Sequence, residues 1–165
     1  MTRTADTLFR NARLADGTLA AIAVTDGTIA AIAPEVAGHG MTATSDIDLD
    51  GQLTVPAFVE GHVHLDTSFY GGPWRPYVPF TAGFDVRERV AIQHRNMAAA
   101  APMAERARHQ LDLCIANGST RMRSHVMVDA SVELTSLQTI AAVREQYRDL
   151  IDIQLVAFPQ SGLLT

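Results

Sequence analysis

The sequence predicts an α/β fold built on a parallel sheet and entered through a small all-β segment. Three observations lead there. The first fifty residues are short β-like runs joined by turn dipeptides. From Leu53 onward, continuously apolar runs alternate with helical stretches. Those runs are spaced as parallel strands with right-handed crossovers require.

The elements follow in order. Leu8 to Leu14 forms one strand. A local repeat comes next, with Gly17–Ala23 (GTLAAIA) echoed by Gly27–Ala33 (GTIAAIA). Between the copies stands Asp26-Gly27, the pair favoured in a two-residue type I′ hairpin. This predicts a β-hairpin with alanine, valine and isoleucine on a buried face. Pro34 to Ser45 is a loop, and Ile47 to Asp50 a short alternating strand ending at Gly51. Val55 to Leu65 is more continuously apolar than the segments before it, as in a strand buried on both faces. The stretch 69–85, with three glycines and three prolines, is a loop. Its Trp74, Arg75 and Tyr77 either cover a site or belong to a surface loop with one aromatic pinned to the core. Residues 86–117 are helical with a break at Pro102, and Gly118 is a helix stop. Thr120 to Met127 is a strand, Ser131 to Asp149 a helix with Leu134, Leu137, Ile140, Ala141 and Val143 on its apolar face, and Ile151 to Phe158 a buried strand. Two domains result, 1–54 and 55–165.

The chemistry concentrates where the apolar run 53–66 ends in His62-Val63-His64-Leu65-Asp66. Alternate side chains of a strand point the same way, about 6.6–6.8 Å apart along it. Two imidazoles so placed can converge on one metal at Zn–N distances of about 2.0–2.1 Å. A bare His-x-His is a weak signal in a chain with six histidines. Its position at a strand end, with Glu60-Gly61 before it and Asp66 after it, raises it above a pair of structural histidines.

Bulk properties exclude other classes. Hydrophobic content of 47% with 19% charged residues is globular. A net charge of −5 with scattered arginines argues against a nucleic-acid surface. The single cysteine, Cys114, excludes an internal disulfide and a multi-cysteine zinc site; among Leu111, Leu113 and Ile115 it reads as a small core residue. The start of the chain lacks a secretory h-region, and no run reaches the ~20 apolar residues of a membrane helix. The expectation is a soluble, cytoplasmic protein with no nucleic-acid or membrane partner.

The strings VPAFVEGHVHLD (55–66), ANGSTRMRSHVMVD (116–129) and IDIQLVAFPQSG (151–162) resemble the amidohydrolase superfamily, most closely its cytosine-deaminase-like branch. The resemblance implies the amino-terminal part of a (β/α)8 barrel, preceded by a small β-sandwich segment and incomplete in this chain. It implies one divalent metal, Fe2+ or Zn2+, at the carboxyl ends of the strands, where such barrels carry their sites. His62 and His64 match the family's first two metal ligands. Gln160 matches the glutamine that binds the heterocycle; an amide both donates and accepts, so it can pair with a ring N–H and carbonyl together. Asp66 and His125 are expected to support the site rather than ligate. The implied reaction is hydrolytic deamination of cytosine or a related amino-substituted heterocycle, triazines and pterin-like rings included, since the loop Gly71–Tyr77 departs from the cytosine-specific pattern.

The family's catalytic residues belong to later strands, so none is expected here. A barrel takes roughly 250 residues; residues 55–165 supply three strands, with two open edges and an uncovered apolar face. The chain alone is therefore expected to be inactive. Three readings remain open: a truncated deaminase, one piece of a split enzyme whose carboxyl-terminal partner chain supplies the remaining strands, and a non-catalytic metal-binding or interaction module. A homo-oligomer is a further partner reading.

Overall fold

A computed structural model describes residues 4–38 and 40–162. The chain divides into two compact units, Met1–Pro56 and Ala57–Thr165, two residues beyond the boundary expected at 54/55.

The first unit contributes one four-stranded sheet to the expected β-sandwich segment, in the order β3-β2-β1-β4. Strands β1 (Ala5–Arg13), β2 (Leu19–Thr25) and β3 (Thr28–Pro34) run antiparallel, followed by a helical turn α1 (Glu35–Gly38) and by β4 (Ala43–Asp48). Asp26 and Gly27 both have positive φ, 52° and 68°, as the type I′ turn requires. Two expectations are corrected. β4 starts at Ala43, inside the expected loop, because its backbone pairs in parallel with β1 from Ala5↔Ala43 to Arg10↔Asp48. The hairpin buries Ala20–Ala23 of β2, whereas Ile29 and Ile32 of β3 are exposed; β3 is the sheet edge, with no second neighbour among the described residues.

The second unit is a parallel sheet of β5 (Phe58–Val63), β6 (Ser119–Met127) and β7 (Asp152–Phe158), in that order. Between β5 and β6 lie the loop 64–85 and helices α2 (Val86–Ala98) and α3 (Met103–Ala116); α4 (Thr135–Gln146) connects β6 to β7. Pro102 separates α2 from α3, since it cannot donate the helical hydrogen bond. Gly118, at φ +89°, ends α3 and turns the chain into β6. α4 begins at Thr135 rather than Ser131. The Asp129 carboxylate accepts from both the N–H and the hydroxyl of Ser131, at 3.0 and 2.6 Å, holding 129–134 in turns.

The core gathers Leu65, Leu111, Val126, Ile140 and Val143, all at most 1% exposed. Each contributes about 1.5–3 kcal/mol over its exposed state. The expectation that 55–65 is buried on both faces is corrected: the strand is shorter, and Phe58 and Val59 are 59% and 65% exposed. β5 has β6 on one side and no strand on the other among the described residues, so apolar sequence there does not become buried surface.

Candidate metal centre

The site is assembled by strand register. In the parallel pairing of β5 with β6, Val63 aligns with Ser124 after an irregularity that follows Glu60. His62 is on β5, His64 is the first residue past its end, and His125 of β6 therefore comes beside them at the carboxyl ends of adjacent strands. The β6–β7 ladder sets Met127 against Phe158, whose ring meets His64 edge-on at 5.4 Å.

The three imidazoles converge. His62 Nε2 and His64 Nε2 are 3.2 Å apart, and the His62 and His125 rings stack at 4.1 Å with 22° between planes. One candidate ligand atom from each of the three lies within 4.8 Å of the others. Two tetrahedral ligands at Zn–N distances of about 2.0–2.1 Å are roughly 3.3–3.4 Å apart, close to the 3.2 Å of the His62–His64 pair. Burial, and then the neighbouring His62, His64 and Arg123, lowers the His125 pKa, which favours the neutral ring that metals bind. His125 Nδ1 is buried without a hydrogen-bond partner among the described residues.

Asp66 stands outside this group of three. It is fully buried, and Oδ2 accepts the Met127 N–H at 2.8 Å, tying the segment after β5 to the end of β6. Burial raises its pKa, opposed by the Met127 N–H and by His64. Oδ1 has no hydrogen-bond partner among the described residues. Gln160 follows β7 in a turn, its Nε2 donating to Gln93 Oε1 of α2 at 3.4 Å. It lines a cavity of about 570 Å3 together with Arg87, Val90, His94 and Ser161. In the loop 69–85, Trp74 is 89% exposed, so it is not an aromatic pinned to the core. Instead the Arg89 guanidinium lies over the rings of Tyr77 and Phe80, and Arg75 over Phe69. Cys114 packs against the core, and burial pushes its thiol pKa up, as expected of a structural cysteine.

Two polar residues escaped the sequence reading. Ser124 Oγ accepts the Leu65 N–H at 3.2 Å. Arg106, 4% exposed, reaches three backbone carbonyls around the same segment. The available signal for Arg106 was its place on α3, three residues after Met103 and five before Leu111, beside the apolar stripe.

A parallel sheet presenting a histidine cluster at its carboxyl end is the arrangement of a metal-dependent hydrolase barrel. Residues 46–165 match the model of the amidohydrolase family, and the chain belongs to that family. It is 35% identical over 118 residues to the uncharacterised protein YahJ of Escherichia coli K12, covering 71% of this chain and 25% of that one. It is 29% identical over 170 residues to N-isopropylammelide isopropyl amidohydrolase of Pseudomonas sp. strain ADP, covering 98% and 40%. Among solved structures, N-isopropylammelide isopropylaminohydrolase of Burkholderia multivorans superposes with a TM-score of 0.81 at 30% identity, over 98% of this chain and 39% of that one. The 5-methylcytosine deaminase of Klebsiella pneumoniae gives 0.71 at 32%, over 94% and 37%. The chain thus spans two fifths or less of the length of these relatives. No helix among the described residues is long and apolar enough to cross a membrane.

The family implies a divalent metal, and the donor set fits one: three imidazoles with a shared focus, and at His125 a buried ring nitrogen with no other partner among the described residues. Imidazole suits zinc and iron alike.

Proposed function

We propose that this chain carries the first part of the site of a metal-dependent hydrolytic deaminase acting on an amino- or alkylamino-substituted nitrogen heterocycle. The observation that carries the reading is the convergence of His62, His64 and His125 at the carboxyl ends of two parallel strands. The names of the relatives, an N-isopropylammelide aminohydrolase and a 5-methylcytosine deaminase, support the substrate class, cytosine included.

His62 and His64 would hold the metal, Fe2+ or Zn2+, with His125 close enough to complete or to buttress the set. When bound, such an ion supplies Lewis-acid activation of water near neutral pH. The overall change adds water to the ring carbon and releases the exocyclic nitrogen as ammonia or amine, leaving a ring carbonyl. In this reading Gln160 binds the ring, its amide matching an adjacent N–H and carbonyl, and Asp66 supports the histidines through the end of β6 rather than touching the ion. No acid joins the three imidazoles in a ligand group among the described residues. Following the family resemblance, we also propose that the proton carrier lies on later strands of the barrel and that residues 1–165 alone are inactive.

Two measurements test this. The 165-residue chain should take up one equivalent of Co2+, followed by its visible absorption, and His62→Ala or His64→Ala should abolish uptake. Ammonia or amine release from cytosine and from an alkylamino triazine should be absent with the chain alone. It should appear when a separately expressed carboxyl-terminal segment of a family member is added. Uptake unaffected by both histidine variants would sink the metal assignment; turnover by the chain alone would sink the proposed division of labour.

A further inference from the structure

The segment that carries His64 leaves the sheet before the histidine is reached. β5 ends at Val63, so nothing in the β5–β6 ladder holds residues 64–68. The Leu65 N–H on Ser124 Oγ and the Asp66 carboxylate on the Met127 N–H are two of the tethers that take over. The remainder comes from α3. The Arg106 guanidinium donates to the Asp66 carbonyl at 3.2 Å, to the Ser68 carbonyl, and through Nε to the Ala101 carbonyl at 2.8 Å. Two of those carbonyls lie two and four residues beyond His64; the third lies in the α2–α3 turn. Arg106 also stands over the Phe69 ring at 5.7 Å, and Arg75 over the same ring at 5.2 Å while donating to Ala99 in that turn.

We propose that Arg106 is the positioning residue of the metal centre, a fork that locks the 66–68 segment against the α2–α3 turn and so fixes where His64 meets His62 and His125. The inference rests on the metal reading for its function and on the geometry of the chain for its substance. A cation buried to 4% exposure is costly unless it is hydrogen-bonded, and each of the three guanidinium nitrogens of Arg106 donates to a carbonyl. Arginine alone combines five donors with a rigid plane, which lets one side chain serve carbonyls in three directions; lysine has three donors on a flexible stem. An apolar residue at this position would serve the core as well, since Ala107 and Leu111 of the same helix are fully buried. What an apolar residue cannot do is hold the three carbonyls.

The test uses the 165-residue chain with Arg106→Met, Arg106→Lys and, as a control, Ile140→Val. Ile140 is fully buried in α4, in the core to which Leu65 also belongs, and Ile140→Val lowers stability while leaving in place every hydrogen bond that tethers residues 65–68. Co2+ affinity should fall about 10–100-fold in Arg106→Met, as for other groups that orient metal ligands. It should fall by an intermediate factor in Arg106→Lys and stay within about twofold in Ile140→Val despite a lower Tm. In the metal-free chain, the His64 ring signals in long-range proton–nitrogen spectra should move in Arg106→Met and not in Ile140→Val. Parental affinity in Arg106→Met, or an equal loss in the control, overturns the proposal. If Arg106→Met does not fold, Arg106→Lys decides by the same criteria. If the parent takes up no Co2+, the metal reading fails, and the ring spectra alone decide whether Arg106 positions His64.

Discussion

At the residue scale, Asp66 shows how a single carboxyl group can join two strands. It is removed from water and accepts the Met127 N–H. Removing the acceptor leaves that N–H buried without a partner, at a cost of about 1–3 kcal/mol. Asp66→Ala should therefore lower unfolding stability by that amount in a urea titration. Asp66→Asn keeps a carbonyl oxygen for Met127 and should recover most of it. The same scale explains what was readable at the site. His62 and His64 declared themselves because their spacing and their strand-end position lie in twelve consecutive residues. His125 was placed near the site by its resemblance alone and in a supporting role; that its ring joins the pair as a third candidate ligand follows from Ser124 aligning with Val63, which the string around it does not state. Arg106 was hidden differently: its partners are main-chain carbonyls, which every residue possesses.

At the scale of elements, turn chemistry decided most of the boundaries. Asp26-Gly27 was legible because the dipeptide itself encodes the turn. The start of α4 was not, because Asp129 spends its carboxylate on Ser131 and on the Ser161 N–H at 3.0 Å. That last bond links the exit of β6 to the turn carrying Gln160. The hydroxyl of Ser131, followed by the backbone N–H of Ser161, lowers the Asp129 pKa to about 2. Its ordinary unfolded value is about 3.9. A folded pKa below the unfolded one contributes stability above about pH 4, and that contribution is lost as pH falls toward 2. Acid unfolding of Asp129→Asn should accordingly show a shallower loss of stability across that window than the parent. An unchanged slope would mean that the bonds seen at Asp129 are not maintained in solution.

For the second unit as a whole, the outstanding feature is the strand β5. Its Phe58 and Val59 side chains are more than half exposed although the sequence around them is that of an interior strand. A sheet edge with unpaired backbone and apolar side chains favours association. Val59→Lys is expected to reduce concentration-dependent self-association in sedimentation velocity while leaving the Tm within a few degrees. An equal sedimentation profile would show that this edge is not the associating surface. In a closed family barrel this edge would pair with the last strand, whereas the barrel continues from β7. This is why apolar composition misreported its burial, since composition records the environment a strand suits, not whether that environment is present.

The chain by itself determined its α/β class, the hairpin at Asp26-Gly27, the break at Pro102, the His62–His64 pair and its likeness to the amidohydrolases. All of these are written in contiguous residues whose conformational preferences act locally. Only the tertiary structure decided that the His125 ring joins that pair as a third candidate ligand rather than merely lying near it, that Asp66 serves the end of β6, that Val59 is exposed, and that Arg106 closes over the segment beside His64. Each of these depends on register or packing between segments forty to sixty residues apart. Such contacts are set by which surfaces meet once the sheet has formed, and local preference carries no record of them.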